Sequence, residues 1–305
     1  MKTSSFLWRN SIALLFFLLL ACNESTTESS SSSDEDQLPR TELTDAFKNY
    51  WYAGEAEITS YRLEQARYGE MREGTAALIY VTEDFNPSKQ VKADASRPDN
   101  VSVLKLNATK NFNTGIYPYS IMQSTFFPVS NDRHAVKVTS SMQEWCGHVY
   151  TQLNNREAFE IKAHSYFESE ADEELTLEKT ILENELWTQL RVDPNSLPTG
   201  EHQVIPSFEF IRLKHTDIAA FKAKLSKTDS TYSVNYPDLN RQLIIKFNQE
   251  FPYDIEGWEE TFTSGYGPNA KSMTTRATKM KTIKSAYWGK NSNADEVLRT
   301  ELQLN

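Results

Sequence analysis

Positions 158–167 read AFEIKAHSYF, where Phe159, Ile161, Ala163 and Phe167 alternate with Glu160, Lys162, His164 and Tyr166. A period of two turns one face of an extended strand toward a core and the other toward water. The pattern recurs at Ala219, Phe221, Ala223 and Leu225 against Ala220, Lys222 and Lys224. Along Ala56–Leu63 the parity changes at Ser60, which predicts a bulge inside one long strand. Gly69–Gly74 reads as a turn, and TAALIYV after it, apolar on both faces, as a central strand. Tyr232–Tyr236, the turn PDLN and QLIIKF form a hairpin. Further strands are expected over 101–106, 117–127, 136–150 and 277–287, the chain being strand-like from Lys48 onward.

Helix signals are sparse. Leu182–Leu190 is one, stopped by Pro194 and Pro198, and Asp295–Leu302 is another, capped by Asn293 or Asp295. The fold class that follows is mainly β: large antiparallel curved sheets, sandwiched or rolled into an incomplete barrel, with two short helices. The turn-rich DPNSLPTGEHQ near 193–203 suggests a boundary between an N-terminal β subdomain (45–195) and a C-terminal one (196–305).

The first 44 residues are of another kind. Lys2 and Arg9 precede IALLFFLLLA, an apolar run of signal-peptide length and too short to span a bilayer as a helix. It ends Leu19-Leu20-Ala21-Cys22, which resembles the lipobox of bacterial lipoproteins, with Leu20 where Ala or Ser is commoner. The resemblance implies cleavage after residue 21 and lipid attachment at Cys22. Removing residues 1–21 takes two positive charges from a net charge of −10 and leaves −12. NESTTESSSSSDED follows, with no large apolar side chain to offset ordering entropy, so residues 22–44 read as a disordered tether. Asn23 is not the Asp of an inner-membrane retention signal, so the expected place is the outer membrane, facing the periplasm.

An acidic chain of this kind lacks the basic face that nucleic acid requires. Two cysteines exclude a disulfide scaffold or a thiolate-rich zinc module. The five His show no HxxxH or HExxH spacing, and Glu168–Glu174 lacks the ligand alternation and central Gly of a calcium loop. No metal ligand or cofactor site is therefore assigned. GxSxG, P-loop and GxGxxG motifs are absent. Cys146, His148 and Tyr150 would share one face of a strand, but neighbours two apart lie about 6–7 Å from each other, too far for a thiolate–imidazole hydrogen bond. Cys146 reads instead as a small buried hydrophobe. Glu259 and Glu260, adjacent on a strand, face opposite ways and cannot flank one glycosidic bond. No catalytic residue is assigned.

Aromatics are the more suggestive feature. Positions 111–128 read NFNTGIYPYSIMQSTFFP, and YWYAG, QEFPYDIEGWEE and SAYWG add more. Phe112, Tyr117, Tyr119, Phe126, Phe127 and Trp145 are the candidates to line an apolar cavity or a sugar-stacking surface; filling a thick β core is the competing use.

LKLNATKNFNTGIYPYSIMQSTFFPV, SSMQEWCGHVYTQLNNR, SYFESE, ENELWTQLRVDPNSLPTG and YPDLNRQLIIKFNQEFPYDIEGWEET resemble a family of Bacteroidota lipoproteins commonly labelled "septum formation inhibitor Maf", over nearly all of residues 45–305. The label implies nucleotide pyrophosphatases, which are cytosolic α/β enzymes with an S-x-S-P-R-R type motif. No such motif occurs in this chain, so no catalytic residue is carried over. The expectation is a non-enzymatic envelope lipoprotein, held to the membrane through Cys22, that binds an apolar or amphipathic ligand (lipid or glycan) or an envelope protein in a concavity of a curved sheet. The alternative is an envelope hydrolase acting on glycan or peptide, which would gather Trp145, Cys146, His148, Trp258 and Glu259 in one cleft.

Overall fold

The computed structural model describes residues 42–130 and 134–304, all inside one compact unit spanning Leu38–Asn305. The signal peptide, Cys22 and nearly all of the tether lie outside the described residues. Helix α1 (Asp45–Trp51) is capped by Thr44, whose Oγ1 accepts from the Phe47 N–H at 3.1 Å. Strands β1 (Ala56–Arg67), β2 (Glu70–Asn86), β3 (Val91–Lys92), β4 (Val101–Thr114), β5 (Tyr117–Pro128), β6 (Lys137–Glu144), β7 (Gly147–Asn155), β8 (Phe159–Ser165) and β9 (Asp172–Leu177) follow. Next come β10 (Ile181–Leu182), α2 (Glu183–Val192), β11 (Gly200–Ile205), α3 (Phe208–Lys214) and β12 (Phe221–Lys227). The chain finishes with β13 (Thr231–Tyr236), β14 (Arg241–Phe247), β15 (Ile255–Ser264), β16 (Lys271–Ser285) and α4 (Val297–Glu301).

The fold is mainly β. One curved, mostly antiparallel sheet runs in the order β10-β11-β12-β13-β14-β15-β16-β1-β2-β4-β5-β6-β7-β8-β9, with β3 on β2, and does not close into a barrel. Strands adjacent in sequence pair with one another, and β16 returns to β1, so the meander leaves β9 and β10 as free edges. Side chains bridge that gap. Phe208 and Ile211 of α3 pack with Leu182 and Ile205 from one edge and with Phe159 and Ile161 near the other. Residues on both sides of 193–203 contribute to this sheet and to its largest core cluster.

The register of β1 on β16 shifts between Ser60 and Tyr61, where the sequence parity changes. The expected hairpin of 232–236 and 242–247 forms as β13 and β14, the second strand starting one residue earlier at Arg241. Four expectations need correction. The Gly69–Gly74 turn is only Tyr68–Gly69, both at positive φ, and β2 already runs through Gly74. There a Cβ would lie 2.2 Å from the Asn111 carbonyl oxygen, so the missing side chain serves strand contact. Residues 136–150 are two strands with a turn at Trp145–Cys146. Four α-helices occur among the described residues where two were expected. A strand-like texture is expected from Lys48 onward, yet the Thr44 cap and Asp45 in the first turn start a helix that runs through Trp51. FEFIRLK also looks strand-like, but Ser207 caps α3 at Phe210 N, and His215 ends it in the left-handed region at φ 52°.

Candidate binding sites in the interior and at the rim

Interior faces follow from cross-strand pairing. Glu57 of β1 stands opposite Tyr80 of β2, and Arg241 of β14 opposite Tyr236 of β13. Both charged residues point into the concavity and both hold α2. At its C-terminal end, Arg191 donates from Nη1 and Nη2 to the Glu57 carboxylate at 2.6 and 2.7 Å, and from Nε to the Pro252 carbonyl at 2.9 Å. Its guanidinium lies 5.0 Å from the Trp51 ring centroid and 4.7 Å from that of Tyr80. At the N-terminal end, Glu183 accepts both Arg241 Nη groups and the Tyr236 hydroxyl, while Arg241 Nε donates to Glu260 at 2.7 Å. An acid at the helix start and a base at its end both complement the macrodipole. Burial pushes Glu57 and Glu183 up, but the facing guanidinium outweighs it and holds each carboxyl below its ordinary value. Glu185 accepts from the Leu182 and Ala135 N–H groups at 3.1 and 2.7 Å. The concavity is thus plugged by a pinned helix.

What space remains is small, with charged and amide groups set among apolar and aromatic walls. Between the first turns of α2 and α3 and the wall of β4, β5 and β15 lies a cavity with ≈ 50 Å³ for water-sized molecules. Lys110 Nζ donates to Glu209 at 2.6 Å, Gln123 Nε2 to Glu209 at 3.1 Å, and Asn184 Nδ2 to Gln123 at 2.9 Å. Trp187 and Trp258 meet edge to face at 5.3 Å beside them. Burial lifts the Glu209 carboxyl above its ordinary value, with Lys110 offsetting only part. That volume accommodates a few waters and no acyl chain.

The six aromatic candidates fall in two places. Phe112 stacks on Tyr119 at 5.0 Å, Tyr117 lies 5.9 Å from Tyr119, and Trp145 sits on the next hairpin turn along the sheet. Phe126 packs on Phe85 and Phe127 joins the seam core, both toward the other end of the strands. Phe112, Tyr119 and Phe127 are buried, Tyr117 and Phe126 partly so.

The hairpins β15–β16, β1–β2, β4–β5, β6–β7 and β8–β9 are consecutive in the sheet and all turn at one end. Each turn carries a large exposed side chain: Tyr266 (59 %), Tyr68 (40 %), Ile116 (83 %), Trp145 (69 %) and Tyr166 (78 %). This rim is braced. Arg67 donates to the Leu213 carbonyl at 2.6 Å and to the Tyr68 and Tyr119 hydroxyls at 3.0 and 3.2 Å, with its guanidinium 4.1 Å from the Tyr68 ring centroid. Gly69 N donates to Ser264 Oγ at 3.1 Å, tying two turns together. The Tyr166 ring lies against Gly147, where a Cβ would come within 2.8 Å of it.

Cys146 is exposed on this rim, a correction to its expected burial, because the chain turns there. The Glu144 carboxylate raises its thiol above the ordinary value, which opposes thiolate chemistry. Trp145, Cys146 and His148 stand on an exposed hairpin, Trp258 is buried inside the sheet, and Glu259 pairs outward with Lys246 at 2.7 Å. Those five residues do not share a cleft. Among the described residues no group of three His, Cys, Asp or Glu is placed to hold a metal ion. No helix among them is long and apolar enough to cross a membrane.

Three of the five exposed turn residues had a signal in the sequence, each beside a glycine: Tyr68-Gly69, Gly115-Ile116 and Gly265-Tyr266. That they share one end needs the sheet order. No protein-family model matches the chain, and no curated protein matches it in sequence. Among solved structures it is similar to a beta-barrel-like protein of domain of unknown function DUF1849 from Brucella abortus. Identity is 8%, the match covers 75% of this chain and 96% of that one, and the TM-score is 0.40, which carries no functional argument.

Proposed function

We propose that this protein is a non-enzymatic binding module of the cell envelope, tethered through a lipidated Cys22 in the outer membrane and facing the periplasm. It engages an envelope ligand or partner with its aromatic rim. The observation that carries the reading is the run of five consecutive hairpin turns at one end, each presenting a large exposed side chain. Large apolar side chains gathered in the open at one end of a sheet are the kind of surface that interaction sites use. The plugged concavity supports a site on the outside, because α2 occupies the volume that an acyl chain would need.

Two variants test the two halves. Cys22→Ala should move the protein from the detergent phase to the soluble fraction, and retention with membranes would refute the anchor. The triple variant Ile116→Ala, Trp145→Ala, Tyr166→Ala should keep its melting temperature within about 2–4 °C, as exposed sites do. It should lose most crosslinks to envelope material that the unmodified protein forms in cells. Unchanged crosslinks would refute the rim.

A further inference from the structure

We infer that the ligand of this rim is a β-1,4-linked polysaccharide chain, lying across the outer face of β4–β7 just below the turns. This rests on the binding-module reading above and names its ligand class.

Cross-strand pairing puts Asn111 opposite Ser120, Ser120 opposite Gln143, and Gln143 opposite His148. All four are exposed, so they form one polar row running perpendicular to the strands. Above the row stands Trp145 at its turn. Below it, in the next exposed row, are Tyr150 and Met122, each 40 % exposed. Adjacent strands lie about 4.8 Å apart, so equivalent positions on successive hairpins are about 9.6 Å apart. That is close to the length of one disaccharide in an extended β-1,4-linked chain. A pyranose has apolar CH faces and a polar equator. Rings of Trp and Tyr match the faces, while amide, hydroxyl and imidazole groups in register match the hydroxyl and amide substituents.

Charge points the same way. Of the acids at the turns of β6–β7 and β8–β9, Glu170 is paired with Arg212 at 2.8 Å and with His215 at 2.7 Å, and Asp172 lies 3.4 Å from His164, so this face offers little free charge to an ionic partner, which suits an uncharged sugar chain. Rigidity is built in, since the Arg67–Tyr68–Tyr119 cluster and the Tyr166–Gly147 contact fix the turns before any ligand arrives, which reduces the ordering entropy of binding.

The test uses the full-length lipoprotein in mild detergent, titrated with N-acetylchitohexaose by tryptophan fluorescence and cosedimented with purified peptidoglycan sacculi. Vesicles of zwitterionic lipid serve as the comparison. Saturable binding to hexaose or sacculi is expected, at least tenfold weaker in Trp145→Ala and several-fold weaker in Gln143→Ala. Trp288→Ala, at the opposite end, should bind as the unmodified protein does. Binding to vesicles and not to glycan overturns the inference, as does glycan binding that ignores both Trp145→Ala and Gln143→Ala. If neither glycan binds while the rim-dependent envelope crosslinks persist, the ligand class is refuted and the binding-module reading survives with a protein partner. If the crosslinks are also lost to no rim substitution, both fall.

Discussion

Replacing Glu57 by Gln isolates the ionic clamp on α2. The substitution keeps the shape of the side chain but leaves the Arg191 guanidinium, 1 % exposed, without its bidentate counter-charge. Asp254 is the nearest other acid at 3.5 Å, and it is already engaged by Lys279 at 2.9 Å, so it compensates little. Leaving one member of a buried pair unmatched destabilises by about 3–5 kcal/mol. With a urea m-value of about 3 kcal/mol/M for a body of this size, the unfolding midpoint should fall by roughly 1–1.7 M. The double variant Glu57→Met, Arg191→Met removes both charges and should recover at least about 2 kcal/mol relative to the sum of the single changes, since a dry pair is often replaceable by apolar residues. A coupling energy below about 0.5 kcal/mol would refute the argument that the pair pins the helix as a unit. The pH dependence has a definite sign. Glu57 titrates below its ordinary value in the folded protein, so its stabilisation is complete above about pH 4.5 and is lost as pH falls through the depressed value. The double variant should therefore lose less stability on acidification than the unmodified protein.

Glu209 predicts the opposite slope. Its folded value is raised, so its contribution is complete below about pH 4.5 and declines as pH rises, by up to about 1.4 kcal/mol per unit. In melting curves from pH 4.5 to 8, Glu209→Gln should gain on the unmodified protein as pH increases, and a constant difference would count against a buried acid there. Cys146 in the native protein should react with iodoacetamide, slowly at pH 7 and faster with rising pH; Glu144→Gln should speed the reaction several-fold, and an unreactive native thiol would contradict its exposure.

The period-two pattern is local and strong, so β8, β13 and β14 were legible almost residue by residue, and even the Ser60 bulge left its mark as a change of parity. α3 was not legible because Phe208, Phe210, Ile211 and Leu213 are all buried: a helix surrounded by core has no polar stripe to betray its period. The same limit hid the interior. Glu57, Lys110, Glu183, Glu209 and Arg241 sit far apart in sequence and resemble ordinary surface charges, and only the sheet order turns them inward. The aromatic-rich 111–128 segment pointed to the rim through Tyr117 and Tyr119, but Phe126 and Phe127 belong to the other end because β5 runs the length of the sheet.

The interior and the rim are linked by one structural fact. An uncovered meander this large would expose an apolar concavity; here α2 and α3 fill it, and the ion pairs fix α2 at both ends where hydrophobic contact alone would let it slide. A helix tied by Glu57–Arg191 at one end and Glu183–Arg241 at the other can leave only by desolvated charges separating, so it behaves as part of the core and not as a lid. In the function proposed above, ligand recognition falls to surfaces the plug does not use. The rim turns qualify because their bracing runs through Arg67 to the Leu213 carbonyl of α3: the second interior helix supports the outer site from behind. A change that loosens α3, such as Ser207→Ala at its cap, should therefore weaken rim binding without touching a single exposed residue.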